Sequence, residues 1–228
     1  MAKITIYNED CLNVLKSIKD NSIDLIITDP PYEHEYHGGG KRKRAQDYTK
    51  LKENTEFMNE GFNYLEILPE LVRVCKVPNI IIFCSNKQIA KLMTWFEDNN
   101  LNPTLTTWKK KNACPLGGGK YISDIEFAIF ARGKKAPWNH SAPSSIKYKC
   151  KVYPFVAGKN KKHPAQKPLG LIKEYVELHS LEGQTILDPY MGSGTTGIAC
   201  KQLNRNFIGI EINKEHFLTS KERLTNEI

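Results

Sequence analysis

The sequence predicts a mixed α/β domain built on a mostly parallel sheet, and three observations predict it. Short apolar runs rich in β-branched residues end in turn or polar signals, at Ile23–Thr28, Ile80–Cys84, Leu105–Lys109, Ile125–Ala131, Ile186–Asp188 and Phe207–Glu211. Stretches with helical spacing lie between several of them: Leu65–Val74, Lys87–Asn99, Leu169–His179 and Thr195–Leu203. Strands alternating with helices imply a parallel sheet covered on both faces. The continuous apolar character of Asp24–Ile27 and Ile80–Phe83 fits strands buried on both sides.

Two stretches break the alternation. Residues 33–62 contain His37-Gly38-Gly39-Gly40 followed by Lys41-Arg42-Lys43-Arg44, and read as a flexible basic loop. Residues 133–162 repeat Lys, Pro, Ser and aromatic residues without sustained periodicity. Long loops in compact domains are usually functional or disordered. With no internal repeat and no linker, residues 1–228 read as one domain with two excursions.

Composition narrows the function classes. At 40% hydrophobic residues the 228-residue chain can bury a sizeable core, and its 25% charged residues are ordinary. The formal net charge of +8 and pI near 9.1 favour a polyanionic partner, nucleic acid first, although solubility charge explains the excess equally well. The six cysteines (Cys11, Cys75, Cys84, Cys114, Cys150, Cys200) form no C-x-x-C pair, and no signal peptide or membrane-length apolar run is visible. A reducing cytoplasm is therefore expected. His34 and His37 lack further ligands nearby, so no structural metal is expected.

The most informative segment runs Thr185-Ile-Leu-Asp-Pro-Tyr-Met-Gly-Ser-Gly-Thr-Thr-Gly197. A strand enters Asp188, a glycine loop follows, and a helix starts near Thr195. Gly192 and Gly194 permit a tight turn and close approach to a ligand. Glu211 ends the next strand about 17 residues after Gly194, where dinucleotide-binding folds place the acid that holds a ribose. Yet the loop is neither G-x-G-x-x-G nor a P-loop. An acid before the glycines would repel a pyrophosphate and could accept hydrogen bonds from an ammonium. S-adenosylmethionine (SAM) offers an ammonium, a sulfonium and a ribose without phosphate. A plain strand–turn–helix corner with an exposed acid is the alternative.

The other informative segment is the strand Ile23-Asp-Leu-Ile-Ile-Thr28 running into Asp29-Pro30-Pro31-Tyr32. Two prolines stiffen the turn. The Asp29 carboxylate and the Pro30 carbonyl become rigid acceptors at the carboxyl end of a strand, suited to the two N–H donors of an exocyclic amino group. Tyr32 offers a flat face on which an extruded base could stack. The alternative is a rigid loop with Tyr32 buried. Carboxyl ends of strands in an open α/β sheet share one crevice, so the two segments would face each other there.

These residues resemble the DNA amino-methyltransferases that modify adenine N6 or cytosine N4. Asp29-Pro-Pro-Tyr32 is similar to the family's catalytic motif and Asp188-Pro-Tyr-Met-Gly-Ser-Gly194 to its SAM motif. His163-Pro-Ala-Gln-Lys-Pro168 resembles a third element that helps enclose the cofactor, while Trp108-Lys109-Lys110 and Glu126-Phe-Ala-Ile-Phe130 resemble weaker strand motifs. The order, catalytic motif first and SAM motif last, is that of the circularly permuted β group. The resemblance implies a Rossmann-like SAM-dependent methyltransferase fold with a seven-stranded sheet, one strand of it antiparallel.

By position it implies that Asp188, Pro189, Tyr190, Gly192, Ser193, Gly194 and Thr195 line the SAM pocket, with Glu211 on the ribose. His163 and Lys167 would border that pocket, and Asp10 would lie near the SAM adenine. Asp29, Pro30, Pro31 and Tyr32 would hold the target base. Tyr190 stands where phenylalanine is more usual. The recognition region expected between Arg132 and His163 is only about 30 residues long, short against the ~100 of an ordinary domain.

The implied reaction is direct transfer of the SAM methyl to an amino nitrogen of a flipped-out base in double-stranded DNA, adenine N6 being favoured because an Asp leads the motif. Cytosine N4 is the nearest rival, followed by RNA methylation and by a SAM-binding nucleic-acid protein without turnover. For DNA contacts the sequence offers Lys41, Arg42, Lys43 and Arg44, with Lys134, Lys135, Lys147, Lys149, Lys151 and Lys159–Lys162 alongside. Trp138, Tyr148 and Tyr153 interleave with these lysines as candidate stacking or wedging groups. A monomer or homodimer, encoded by a prokaryote or phage and working with or without a cognate restriction enzyme, completes the expectation.

Overall fold

The computed structural model describes residues 2–32, 63–113, 121–154 and 166–226. Its strands are β1 (Ile4–Tyr7), β2 (Leu25–Thr28), β3 (Asn79–Cys84), β4 (Asn102–Lys110), β5 (Ile125–Arg132), β6 (Cys150–Tyr153), β7 (Thr185–Asp188) and β8 (Asn206–Ile210). The described helices are α1 (Cys11–Ser17), α2 (Tyr64–Val74), α3 (Ile89–Asp98), α4 (Leu169–His179), α5 (Thr195–Gln202) and α6 (Lys214–Asn226). All strands join one sheet in the order β1-β8-β7-β2-β3-β5-β4-β6. Among the described strands only β5 runs against its neighbours, β3 and β4; every other pairing is parallel.

Both faces of the sheet are covered, and the central strands show why their sequences do not alternate. Ile26, Ile80 and Ile82 pack toward α1, α2 and α3, among Leu15, Leu68, Leu71 and Phe96. Leu25, Ile27, Ile81 and Phe83 point the other way, onto Leu171, Tyr175 and Val176 of α4 and Ala199 and Cys200 of α5. Successive residues of a strand face opposite sides, so a strand buried twice must be apolar throughout. Asn100 after α3 and Asn204 after α5 take positive φ, the left-handed turn with which helices commonly end.

Among the described residues the sheet has eight strands where seven were expected; no apolar run announced β1 or β6, and β6 lies inside the stretch without periodicity. The inward residue of β6 is a lysine, which hides it from a hydrophobic pattern. Lys151 is buried, donates to the Ile146 carbonyl, pairs with Glu174 at 3.0 Å and lies over the Tyr175 ring. Val152, by contrast, faces outward. The strand is held to β4 by main-chain pairing and by Trp108 Nε1 donating to the Tyr153 carbonyl at 2.9 Å.

A buried carboxylate ties the two strands that carry the key segments. Asp24, just before β2, accepts from Lys76 Nζ at 2.9 Å and from the main-chain N–H of Thr185, the first residue of β7, at 2.9 Å. Asp24→Ala leaves that partly buried N–H without its acceptor and should cost about 1 kcal/mol or somewhat more. A thermal melt should show a fall of several degrees; an unchanged midpoint would mean that the β2–β7 junction does not depend on this bond.

Candidate active site

The site is assembled at the carboxyl ends of β2, β7 and β8. Leu25 and Ile26 of β2 pair with Ile186 and Leu187 of β7, so Asp29 and Asp188 leave the sheet side by side. Leu187 and Asp188 pair in turn with Ile208 and Gly209 of β8, which brings Glu211 to the same rim. Residues some 160 positions apart in the chain thus meet in one crevice.

The glycine loop is pinned from beneath and from the side. Gly194 has φ 76° and begins α5; a Cβ there would meet the Ser220 Cβ of α6 at 3.0 Å. Arg223 of α6 donates to the Ser193 carbonyl at 2.6 Å. Gly192, with φ 49°, donates its N–H to Glu211 Oε2 at 3.0 Å, and Glu211 Oε1 accepts from Asn213 N at 2.8 Å. Burial raises the Glu211 carboxyl above its ordinary range.

Asp188 is buried under the loop. It accepts from Thr196 Oγ1 at 2.7 Å and from Tyr190 N at 3.2 Å. Burial, with a smaller repulsion from Asp29, pushes its carboxyl up to about 7. Pro189, Ser193 and Thr195 are also buried, and Tyr190 accepts a hydrogen bond from Cys11 Sγ at 3.3 Å. Asp10 caps α1, its Oδ1 accepting from Leu12 N at 2.9 Å and Asn13 N at 3.2 Å. Two carboxylates beside a glycine loop make an acceptor set for a cationic, phosphate-free nucleoside, and SAM fits it.

The Asp29–Tyr32 turn holds an arrangement that the sequence did not announce. Tyr32 donates its hydroxyl to Asp29 Oδ1 at 2.6 Å, and Lys167 donates to Asp29 Oδ2 at 2.5 Å. Burial raises the Tyr32 phenol well above its ordinary value, and Asp29 adds to the effect. Lys167 Nζ also lies 3.3 Å from Glu126 Oε2, while Lys110 Nζ holds Glu126 Oε1 at 3.0 Å. Burial alone would lower the Lys167 ammonium; Asp29 and Glu126 outweigh it, and the net shift is upward. Burial opposes ionisation of Glu126 too, but Lys167 and Lys110 carry its carboxyl below the usual range. Lys167 thus sits on the Asp29–Tyr32 turn rather than on the glycine loop, with Pro30 buried and Pro31 and Tyr32 half-buried beside it.

Glu126 and Lys110 are the site residues that sequence reasoning missed. Both lie in strands recognised only as weak motifs. The available signal was an acid at the second position of an otherwise apolar strand, which must find a cation when buried.

The expected DNA-contacting residues divide. Lys41–Arg44 and Lys159–Lys162 lie outside the described residues, as do His163, His34 and His37. Tyr148 and Lys149 are exposed on the β6 edge; Lys147 is half-buried and donates to the His140 carbonyl at 3.0 Å. Trp138 does not reach outward as a wedge. It packs half-buried against Phe130 and edge-on to His179, with the Arg132 guanidinium over its ring. Lys134 and Lys135 follow the end of β5, where Arg132 pairs with the first residues of β3 and β4, at the rim opposite the crevice. Lys151 is committed to Glu174, and Tyr153 donates its hydroxyl to the same residue at 2.6 Å. Among the described residues no group of three or more His, Cys, Asp or Glu could hold a metal, and no helix is long and apolar enough to cross a membrane.

Comparison with known proteins agrees with this geometry. Residues 23–222 match the family model described as DNA methylase, of the N6 and N4 class. The type II methyltransferase M.HpaI of Haemophilus parainfluenzae is 32% identical over 96% of this chain and 73% of its own length. M2.MboI of Moraxella bovis is 32% identical over 96% of this chain and 86% of its length. The crystal structure of the M1.HpyAVI–SAM complex superposes with a TM-score of 0.75 at 33% identity, covering 97% of this chain and all of that one. The cytosine-N4-specific PvuII methyltransferase shares the fold at 16% identity, with a TM-score of 0.76 over 100% of this chain and 89% of that one.

Proposed function

The chain belongs to the DNA methylase family, and from that premise we propose that it is a SAM-dependent, site-specific DNA methyltransferase acting on adenine N6. The observation that carries the proposal is the adjacency of the Asp29 turn and the Asp188 loop on the paired strands β2 and β7. One end of the crevice holds the cofactor and the other holds an amino group. SAM supplies the methyl group.

The chain's residues do the positioning. Asp188 accepts from the cofactor's ammonium, Glu211 from its ribose hydroxyls, and the Gly192–Gly194 loop allows close approach. The flipped base stacks on Tyr32 and donates its amino hydrogens to Asp29 and the Pro30 carbonyl. Those acceptors orient the nitrogen for in-line attack and stabilise the positive charge that grows on it. The leading Asp of the turn favours adenine over cytosine. Tyr148, Lys149 and the net charge of +8 provide a surface for the phosphate backbone.

The test is to incubate the protein with labelled SAM and unmethylated, sequence-diverse duplex DNA and to identify modified nucleosides by mass spectrometry. N6-methyladenine is expected. N4-methylcytosine would move the target while keeping the machinery, and no modified base would overturn the DNA assignment.

Asp188 gives the proposal a pH signature. Its folded-state value of about 7 lies far above the 3.8 of free aspartate, so between those two pH values the folded protein holds a proton that the unfolded chain has already lost. Stability contributed by this group declines as pH rises through that window and is level above it. Cofactor binding runs the other way, because the ammonium needs the carboxylate. SAM affinity should fall about tenfold per pH unit below the midpoint and level off above it. Calorimetric titration from acid to mildly alkaline pH reads this directly, and a flat profile would remove Asp188 as the ammonium's partner.

A further inference from the structure

Both oxygens of Asp29 are engaged before any base arrives. Tyr32 holds Oδ1 and the Lys167 ammonium holds Oδ2. The Tyr32 hydroxyl is neutral and can stay, since a carboxylate oxygen accepts more than one hydrogen bond. The ammonium is a different matter. The amino nitrogen that Asp29 is to receive becomes positively charged as the methyl arrives, and a lysine against the same carboxylate opposes that charge.

Glu126 supplies the place for Lys167 to go. Its Oε1 is anchored by Lys110 at 3.0 Å, which leaves Oε2 facing Lys167 Nζ at 3.3 Å. The ammonium therefore lies between two carboxylates, nearer Asp29. A small displacement toward Glu126 keeps it paired throughout, which a lysine as buried as Lys167 requires. The Phe83 ring, 4.9 Å from Nζ, and the Tyr32 ring, 5.7 Å away, flank the cation on its apolar sides.

We infer that Glu126 is a positioning residue for methyl transfer: it receives the Lys167 ammonium when the target base takes its place on Asp29. No proton changes hands in this exchange; one charged hydrogen bond is lengthened and another shortened. The inference rests on Asp29 being the amino-group acceptor.

The test compares Glu126→Gln, Glu126→Asp and Asp29→Ala with the wild type, measuring kcat on duplex DNA, SAM affinity by calorimetry and the thermal midpoint. Glu126→Gln is expected to lower kcat by about tenfold or more with SAM affinity unchanged, and Glu126→Asp, which keeps the charge on a shorter arm, should fall between. In a Lys167→Met background Glu126→Gln should add no further loss, because Glu126 acts only through the lysine. A kcat within about twofold of wild type overturns the inference, as does an equal loss in both backgrounds or a parallel loss of SAM affinity. Should Glu126→Gln fail to fold, Glu126→Asp alone decides, by lowered or unchanged kcat at intact SAM affinity. An active Asp29→Ala protein would sink the underlying reading instead, whereas an inactive one beside a fully active Glu126→Gln would sink only the role of Glu126.

Discussion

Asp29→Ala is expected to reduce methyl transfer by about 10³-fold, the loss typical of removing one preorganised polar group from the reacting centre. SAM binding should survive within about threefold, because on the proposed reading Asp29 receives the base while the cofactor is held from β7 and β8. The substitution also removes the nearer of the two carboxylates that neutralise Lys167. Glu126 remains at 3.3 Å, so the lysine keeps a partner and the fold should hold. Asp29→Asn, which keeps the shape and loses the charge, separates electrostatics from packing: if it is as inactive as the alanine variant, charge on the acceptor is what matters. Full activity in either variant would show that Asp29 does not bind the reacting amino group.

Glu211→Ala should weaken SAM binding by about 10²-fold, more than any other single change on the cofactor side. Hydrogen bonds to a charged group contribute about 1.5–3 kcal/mol each, and on the proposed reading the carboxylate receives the ribose as well as holding the loop. The loop part is visible in the protein itself. Gly192 N and Asn213 N both donate to this side chain, at 3.0 and 2.8 Å, so its removal frees the first glycine of the loop in addition to any proposed ribose contact. Calorimetric titration with SAM is the measurement; affinity within about threefold of wild type would assign the ribose to another residue.

Much of this architecture was legible because burial leaves a pattern. A strand covered on both faces must be apolar at nearly every position, so Asp24–Ile27 and Ile80–Phe83 could be read as strands buried on both sides. The glycine loop and the Asp-Pro-Pro-Tyr turn were legible because backbone constraints demand particular residues there. What escaped notice had no such mark. β1 is short and only half-buried, α6 is strongly charged, and β6 turns a lysine inward and a valine outward. The pairing of Lys167 with Asp29 and Glu126 joins three distant segments through charge alone. Local periodicity carries no trace of such a contact, and Trp138 misled in the opposite sense, an aromatic among lysines that belongs to an interior cluster.

The strand order also dictates when the site can come into being. β1 touches only β8 in the sheet, and β2 has β7 on one side, so the earliest strands of the chain wait for the latest. As the protein emerges from the ribosome, β2 and β3 can pair at once, but the β2 edge stays open until residues 185–188 have been made. Non-local pairing of this kind is slow and leaves strand edges exposed in the interval. The Asp29–Tyr32 turn and the Asp188–Gly194 loop therefore cannot mature separately. A chain interrupted before β7 would carry Asp29-Pro-Pro-Tyr32 complete and have no crevice in which to use it.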